Sequence, residues 1–169
     1  MADVVDVVPP AVDQLNSLTI WWVPTLADPT APKAATELGA VTSFRLTYSF
    51  TTDGWGLTGS QDKTDDPRLT LKQKLESLGV ASQSLTLKYV DSTAAGSAAA
   101  VLTEGLTGYF VERRGVPDQT LAAAAQKVRV IPVTLGKQIP GPVDGTGKFT
   151  YTQETAINGV VGLPVALVA

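Results

Sequence analysis

Between Thr42 and Thr51 the chain alternates without a break, with Phe44, Leu46, Tyr48 and Phe50 on one side and Ser43, Arg45, Thr47 and Ser49 on the other. A period of two sends successive side chains to opposite faces of a strand, whereas a helix would scatter those four apolar residues around its axis. The same period returns at Arg68 to Glu76, where Leu69, Leu71 and Leu75 oppose Thr70, Lys72 and Lys74. It returns again at Ser84 to Val90, with Leu85, Leu87 and Tyr89 opposite Thr86 and Lys88, and at Lys148 to Ile157, with Phe149, Tyr151 and Ile157 opposite Thr150, Thr152 and Glu154. The chain carries 21 threonines, many beside Val, Leu, Tyr or Phe, a composition that suits a pleated, half-buried surface. These patterns predict an all-β chain.

The other elements are placed by their breakers. Residues 1–16 read as an extended arm, because Pro9-Pro10 blocks both a helix and a central strand. Ser17 to Val23 reads as a first strand ended by Pro24, followed by an irregular loop with a helical turn at Pro32 to Leu38 closed by Gly39. Thr52 to Pro67, rich in Gly and Asp, reads as a long loop. Leu78-Gly79-Val80 reads as the turn of a hairpin, with a short helix over Lys72 to Leu78 as the alternative. Ala94 to Thr103 is the one good helix signal and packs on the sheet. Gly108 to Arg113 and Lys127 to Leu135 are further strands, the second held at an edge or a bulge by Pro132. At 169 residues the prior is one domain, here 17–157 between the arm and an apolar segment 158–169 that is either a last edge strand or a second arm. A domain of that size buries roughly 70% of its unfolded surface.

With no cysteine and no histidine, thiolate chemistry, imidazole-ligated metals and every Ser-His or Cys-His nucleophile pair are excluded. Net charge −3 and a pI near 4.8 argue against a nucleic-acid reader, which needs a basic stripe. No basic leader and no apolar run of about 18 residues is present, so the chain is expected to be soluble where it is made, and a cytoplasm suits its lack of cysteine.

Several motifs fail on their context. Gly54-Trp55-Gly56-Leu57-Thr58-Gly59 matches G-x-G-x-x-G, but the following residues lack helical periodicity and bring acids where a pyrophosphate would sit. A loop carrying Trp55 as a protruding aromatic is the expectation. Gly141 to Lys148 is one residue too long for a phosphate loop and has Phe149 where a magnesium-binding hydroxyl belongs, so it reads as a turn between strands. Asp62, Asp65 and Asp66 lack the order of an EF-hand and read as a solvated acidic loop. No pair of carboxylates is proposed for glycoside hydrolysis. Arg113-Arg114 reads as a solvated dipeptide at a strand end.

Three features point to self-association. Charged residues make up 17% of the chain against about 25% in an average soluble domain, which leaves a poorly solvated exterior for partners to cover. Trp21 and Trp22 are adjacent in a strand and point to opposite faces, so one of them needs cover from a helix, the arm or a neighbouring subunit. Finally, residues 1–66 hold nine acids and three bases, net −6, while residues 67–169 hold seven acids and ten bases, net +3. Copies stacked head to tail would bring opposite signs together.

The segment Ile20-Trp21-Trp22-Val23-Pro24-Thr25-Leu26-Ala27-Asp28-Pro29-Thr30-Ala31-Pro32, the step to Glu37-Leu38 and the acidic loop ending Asp65-Asp66-Pro67-Arg68-Leu69 resemble the major tail (tail tube) proteins of long-tailed, siphovirus-type actinobacterial phages. Leu85 to Val90, the Ala-rich stretch, Gly108 to Gly115 and Val128 to Val133 extend the resemblance over most of the chain. It implies a β-sandwich or partly closed barrel of tail-tube type with one short flanking α-helix, closing into hexameric rings that stack into a tube through which the genome leaves the capsid. The loop 52–67 and the terminal arms would then bridge rings. Asp3, Asp6, Trp21, Trp22, Trp55, Asp62, Asp65, Asp66, Arg113 and Arg114 are the contact residues it suggests.

It further implies a virion protein assembled in the host cytoplasm, with tape measure, tail terminator and tail tip proteins as partners and with no catalytic residues, cofactor or metal. A DNA conduit is better neutral or acidic than basic, because counterion release would bind the phosphate backbone and stall it. Lys72, Lys74 and Lys88 are awkward for that wall if all point inward. The rival readings are a carbohydrate-binding β-sandwich that uses Trp21, Trp22 or Trp55 as platforms, and an enzyme, which the missing nucleophile pairs disfavour.

Overall fold

The computed structural model describes residues 10–66, 73–143 and 147–169. Asp3, Asp6 and most of the expected arm lie outside the described residues, as do Leu69, Leu71 and Lys72 of the strand read at Arg68 to Glu76. The described residues form eight strands: β1 Leu18–Val23, β2 Phe44–Arg45, β3 Phe50–Asp66, β4 Leu75–Val90, β5 Thr107–Arg114, β6 Lys127–Pro140, β7 Thr150–Ile157 and β8 Val165–Ala166. They form a single sheet in the order β2-β1-β5-β6-β7-β4-β3, with β8 on the free flank of β6, and every neighbouring pair is antiparallel. The all-β expectation holds, in its partly closed form: the sheet curls far enough for Trp55 of β3 to meet Phe110 of β5, ring centroids 5.2 Å apart.

The curl creates two cores, one on each face. Inside lie Ile20, Trp22, Leu46, Leu85, Leu87, Tyr89, Phe110, Ile131, Val133 and Leu135, closed by Ala98 and Leu102. Outside lie Trp21, Val23, Val111, Val128 and Val130, covered by Leu26, Ala34, Leu38 and Leu167. The expected helical turn is found at Ala34–Leu38, ended by Gly39. Glu37 holds its entry by accepting from the backbone N–H groups of Ala27 and Lys33, at 2.8 and 2.6 Å. The chain end is stitched to the same layer, since Ala34 N–H donates to Val168 O and Val168 N–H to Pro32 O.

Five expectations need correction. The alternation at Thr42 to Thr51 does not make one strand: β2 stops after two residues, and a 3-10 turn at Thr47–Ser49 follows. Leu46 N–H still donates to Ile20 O, but Ile20 N–H turns to the Thr47 hydroxyl at 2.9 Å, so a side chain ends the ladder at this sheet edge. The long loop at Thr52 to Pro67 is instead most of β3, and Leu78-Gly79-Val80 lies inside the unbroken β4, paired with β3 rather than turning.

Pro132, placed at an edge or bulge by its missing N–H, sits in an interior strand. Its carbonyl accepts from Asn158 just past the end of β7, so its nitrogen faces the same vacant flank and no ladder bond is lost. The Ala-rich helix is reduced to α1, Ala98–Val101, capped by the Ser97 hydroxyl at the Ala100 N–H. Its last carbonyls are taken by side chains: Gln138 Nε2 donates to Ala99 O and Leu102 O, and buried Gln153 Nε2 to Leu102 O.

Candidate functional site

Beyond Leu57 and Leu85, β3 and β4 leave the body as a two-stranded ribbon. Thr58 to Asp65 are exposed throughout, and so is nearly all of Leu75 to Ser84 opposite them. At about 3.4 Å per residue the ribbon reaches roughly 25–30 Å from the sheet. Pairing with β7 ends at Leu85↔Thr155, so among the described residues no third strand supports it. A ribbon of two strands with both faces in water is marginal on its own.

Its polar composition is arranged as cross-strand pairs. Thr58 and Ser84 hydroxyls lie 2.8 Å apart, Ser60 and Ser82 2.9 Å, and nearer the tip Lys63 meets Glu76 at 3.0 Å and Lys74 meets Asp65 at 2.9 Å. Between the hydroxyl pairs and the charge pairs β4 is bulged, Gln61 pairing with Ala81 but Lys63 with Leu78, and Leu78 and Val80, on either side of Gly79, are 70% and 76% exposed. Gly59, Gln61, Ala81 and Gln83 lie on the face opposite the hydroxyl pairs, whereas Gly79 sits in the bulge against Asp62.

The root of the ribbon is a bulge. Phe50 pairs with Tyr89, but the next paired residue, Trp55, faces Leu87, so Thr51 to Gly54 loop out. Only glycine fits at position 54, where a Cβ would sit 1.8 Å from Lys88 O. Asp53 within the bulge pairs with Lys88 at 2.8 Å, and this contact, with help from Thr51, pulls its carboxyl down to about 2. Trp55 then folds inward and donates its indole N–H to Glu112 Oε1 at 3.0 Å. Glu112 is buried on the inner face; Arg114 reaches the same oxygen at 2.6 Å, and Arg129 stands 3.8 Å from the other.

The suggested contact residues therefore divide. Asp62, Asp65 and Asp66 lie on the ribbon, as strand residues rather than a solvated loop. Trp55 is at its root, half-buried, not protruding. Trp21 and Trp22 do point to opposite faces, and each is sealed inside the subunit's own core, so the orphan indole that suggested a partner finds its cover within the chain.

Arg113 is not solvated. Fully buried, it donates to Thr19 Oγ1, Gln126 Oε1 and the carbonyls of Pro117, Thr120 and Leu121, and it stacks 5.1 Å from the Trp21 ring. Burial lowers its pKa from the ordinary guanidinium value. Arg114 stays largely exposed beside Glu112. Sequence reasoning passed over Glu112, whose signal was a lone acid in register with Gly108 and Phe110 on an apolar face, and read Leu78 and Val80 as a turn.

The body offers little to a small substrate. A cleft of about 470 Å³ between the ribbon root and Val161–Leu163 contains one ionisable side chain, Arg129. A second, of about 380 Å³, is lined by Thr107, Tyr109, Pro132 and Asn158 among others. Neither sets a nucleophile beside a base. Among the described residues no group of three or more acids is placed to hold a metal ion, and no helix is long and apolar enough to cross a membrane.

A family model described as phage tail tube protein matches residues 7–169. Among curated proteins none matches the chain.

Proposed function

Because the chain belongs to the phage tail tube protein family, we propose that its copies close into rings, six to a ring, which stack into the conduit that passes the genome from capsid to host. Its role is that of a structural component of the tail tube. Within that role, the ribbon of one ring reaches the next and buries Leu78 and Val80 there, with the acidic residues Asp62, Asp65 and Asp66 and the arm bearing Asp3 and Asp6 adding contacts between copies. The observation that carries this reading is the ribbon itself: two strands exposed on both faces, held among the described residues at their root, with exposed apolar side chains at its middle.

The charge pattern agrees with a conduit that does not hold DNA. Lys74 and Lys88, awkward for a lumen as free cations, are paired with Asp65 and Asp53. The proposed setting is a siphovirus-type phage of actinobacteria, assembly in the host cytoplasm, and contact with tape measure, tail terminator and tail tip proteins.

Sedimentation velocity and negative-stain microscopy of the purified chain test the reading. Rings with six-fold class averages, or tubes, are the expected outcome; a monomer that persists at several hundred micromolar would overturn it. The carbohydrate-binding alternative is not favoured, since Trp21 and Trp22 are inside the subunit and Trp55 is committed to Glu112.

A further inference from the structure

We propose that Glu112 is a positioning residue for assembly: through its hydrogen bond to Trp55 it sets the direction in which the β3–β4 ribbon leaves the body. This inference rests on the polymerising role proposed above and concerns how one subunit is prepared for it.

The ribbon is built on a joint. The looped-out bulge Thr51 to Gly54 separates Phe50, which belongs to the body through its pairing with Tyr89, from Trp55, where the ribbon's ladder resumes. Past this joint, Trp55 and Leu57 are the last β3 side chains packed on the inner core, and pairing of β4 with β7 ends at Leu85. Leu57 supplies area without direction, whereas Trp55 supplies a fixed vector. Its ring is held edge-on between Phe50, at 5.5 Å, and Phe110, at 5.2 Å, and its N–H points at Glu112.

Glu112 stands in β5, four places along the sheet from β3, so this one bond ties the joint across the curl. The carboxylate is itself fixed. Its side chain is 1% exposed, Arg114 donates to Oε1 from Nε at 2.8 Å, and Arg129 opposes it in the strand register. The other oxygen, Oε2, has among the described residues no hydrogen-bond partner, and Arg129 stands 3.8 Å from it. A buried acid left partly unsatisfied on an otherwise apolar face is a costly way to fill space. An arm of 25–30 Å that swings freely must be ordered before it docks, and fixing its direction in the subunit removes that entropic loss from association.

The absence of cysteine makes the test direct, because two introduced thiols are the only ones. Spin labels at Val80→Cys on the ribbon and Ala124→Cys on the body report their separation in dilute, unassembled protein, and assembly is followed separately on unlabelled chains. The expectation is one narrow distance in the parent protein and a broad distribution in Trp55→Phe and Glu112→Ala. Those two variants should keep the parent's far-ultraviolet ellipticity and need at least tenfold more protein to assemble. Glu112→Gln retains an acceptor for the indole and should restore both the narrow distance and assembly to within about threefold.

Distances that stay narrow in Trp55→Phe and Glu112→Ala would overturn the proposal, and so would broad distances with unimpaired assembly. Should Glu112→Ala fail to fold, Trp55→Phe against Glu112→Gln carries the same comparison. A parent protein that never assembles removes the tail-tube reading, while the distance measurement still decides whether the latch exists.

Discussion

Gly108 shows how narrowly single residues are set. A Cβ there would lie 2.7 Å from the Trp22 ring, because β5 passes directly beneath the largest side chain of the inner core. Gly108→Ala therefore forces an indole that already meets Phe110 at 5.0 Å to move, and overpacking of this kind costs about 1–3 kcal/mol. Urea unfolding of the unassembled protein should show a lowered midpoint with an unchanged slope. Tyr89 gives a second residue-level expectation. Desolvation pushes its phenol up to about 12, and its hydroxyl donates to Gln153 at 3.0 Å. The fold thus favours the neutral phenol. That contribution is complete below the unfolded value of about 10 and is lost as pH rises through about 12. Alkaline titration should show tyrosinate absorbance and loss of ellipticity rising together above pH 10, and a tyrosine population that ionises fully near 10 with the fold intact would refute the assignment.

Elements were legible in the sequence wherever one face is buried, and illegible elsewhere. β7 alternates because one face packs on the inner core, and periodicity located it to within two residues, while β1 and β5, buried on both faces, were placed as apolar runs to within a residue. The outer half of β3 has no core on either side, so its sequence needs no apolar period, and Gly54, Gly56 and Gly59 among acids read as a loop. Pairing with β4 is what makes it a strand, and that partner lies in a different part of the sequence. The alternation at Phe44 to Phe50 failed for the opposite reason: Leu46 is buried and Tyr48 exposed, so residues with one hydrophobic label meet different environments across a 3-10 turn. Of the site, the acids and Trp55 were legible as chemistry but not as a ribbon and its root. The ribbon supports its own prediction. Leu78→Ser combined with Val80→Ser removes apolar side chains that touch little within the subunit, so the unfolding midpoint should stay within about 0.5 kcal/mol of the parent. Assembly should be abolished at concentrations where the parent forms particles; full assembly of the double variant would show that another surface holds the copies together.

At the scale of the whole molecule, the separation of charge along the chain does not survive folding intact. Asp53 and Asp65 belong to the acidic half and Lys88 and Lys74 to the basic half, yet they pair with one another inside a single subunit, at 2.8 and 2.9 Å. Lys63 and Glu76 repeat the exchange in the other direction. Opposite signs that meet within the subunit are not free to draw one copy onto another, so the attraction expected between copies falls mainly to apolar contact. That distinction is measurable, because the Debye length shrinks from about 10 Å at 0.1 M salt to about 3 Å at 1 M, while apolar burial is not screened. Exposed pairs such as Lys63 with Glu76 are each worth less than about 1 kcal/mol, so salt should loosen the ribbon tip only slightly. Sulfate, which is excluded from protein surfaces, strengthens burial. The expectation is that the concentration needed for assembly changes less than tenfold between 0.1 and 1 M sodium chloride and falls in sodium sulfate of equal ionic strength. Particles that dissolve as chloride rises, with sulfate no better, would return the interface to charge and leave Leu78 and Val80 without the role argued for them.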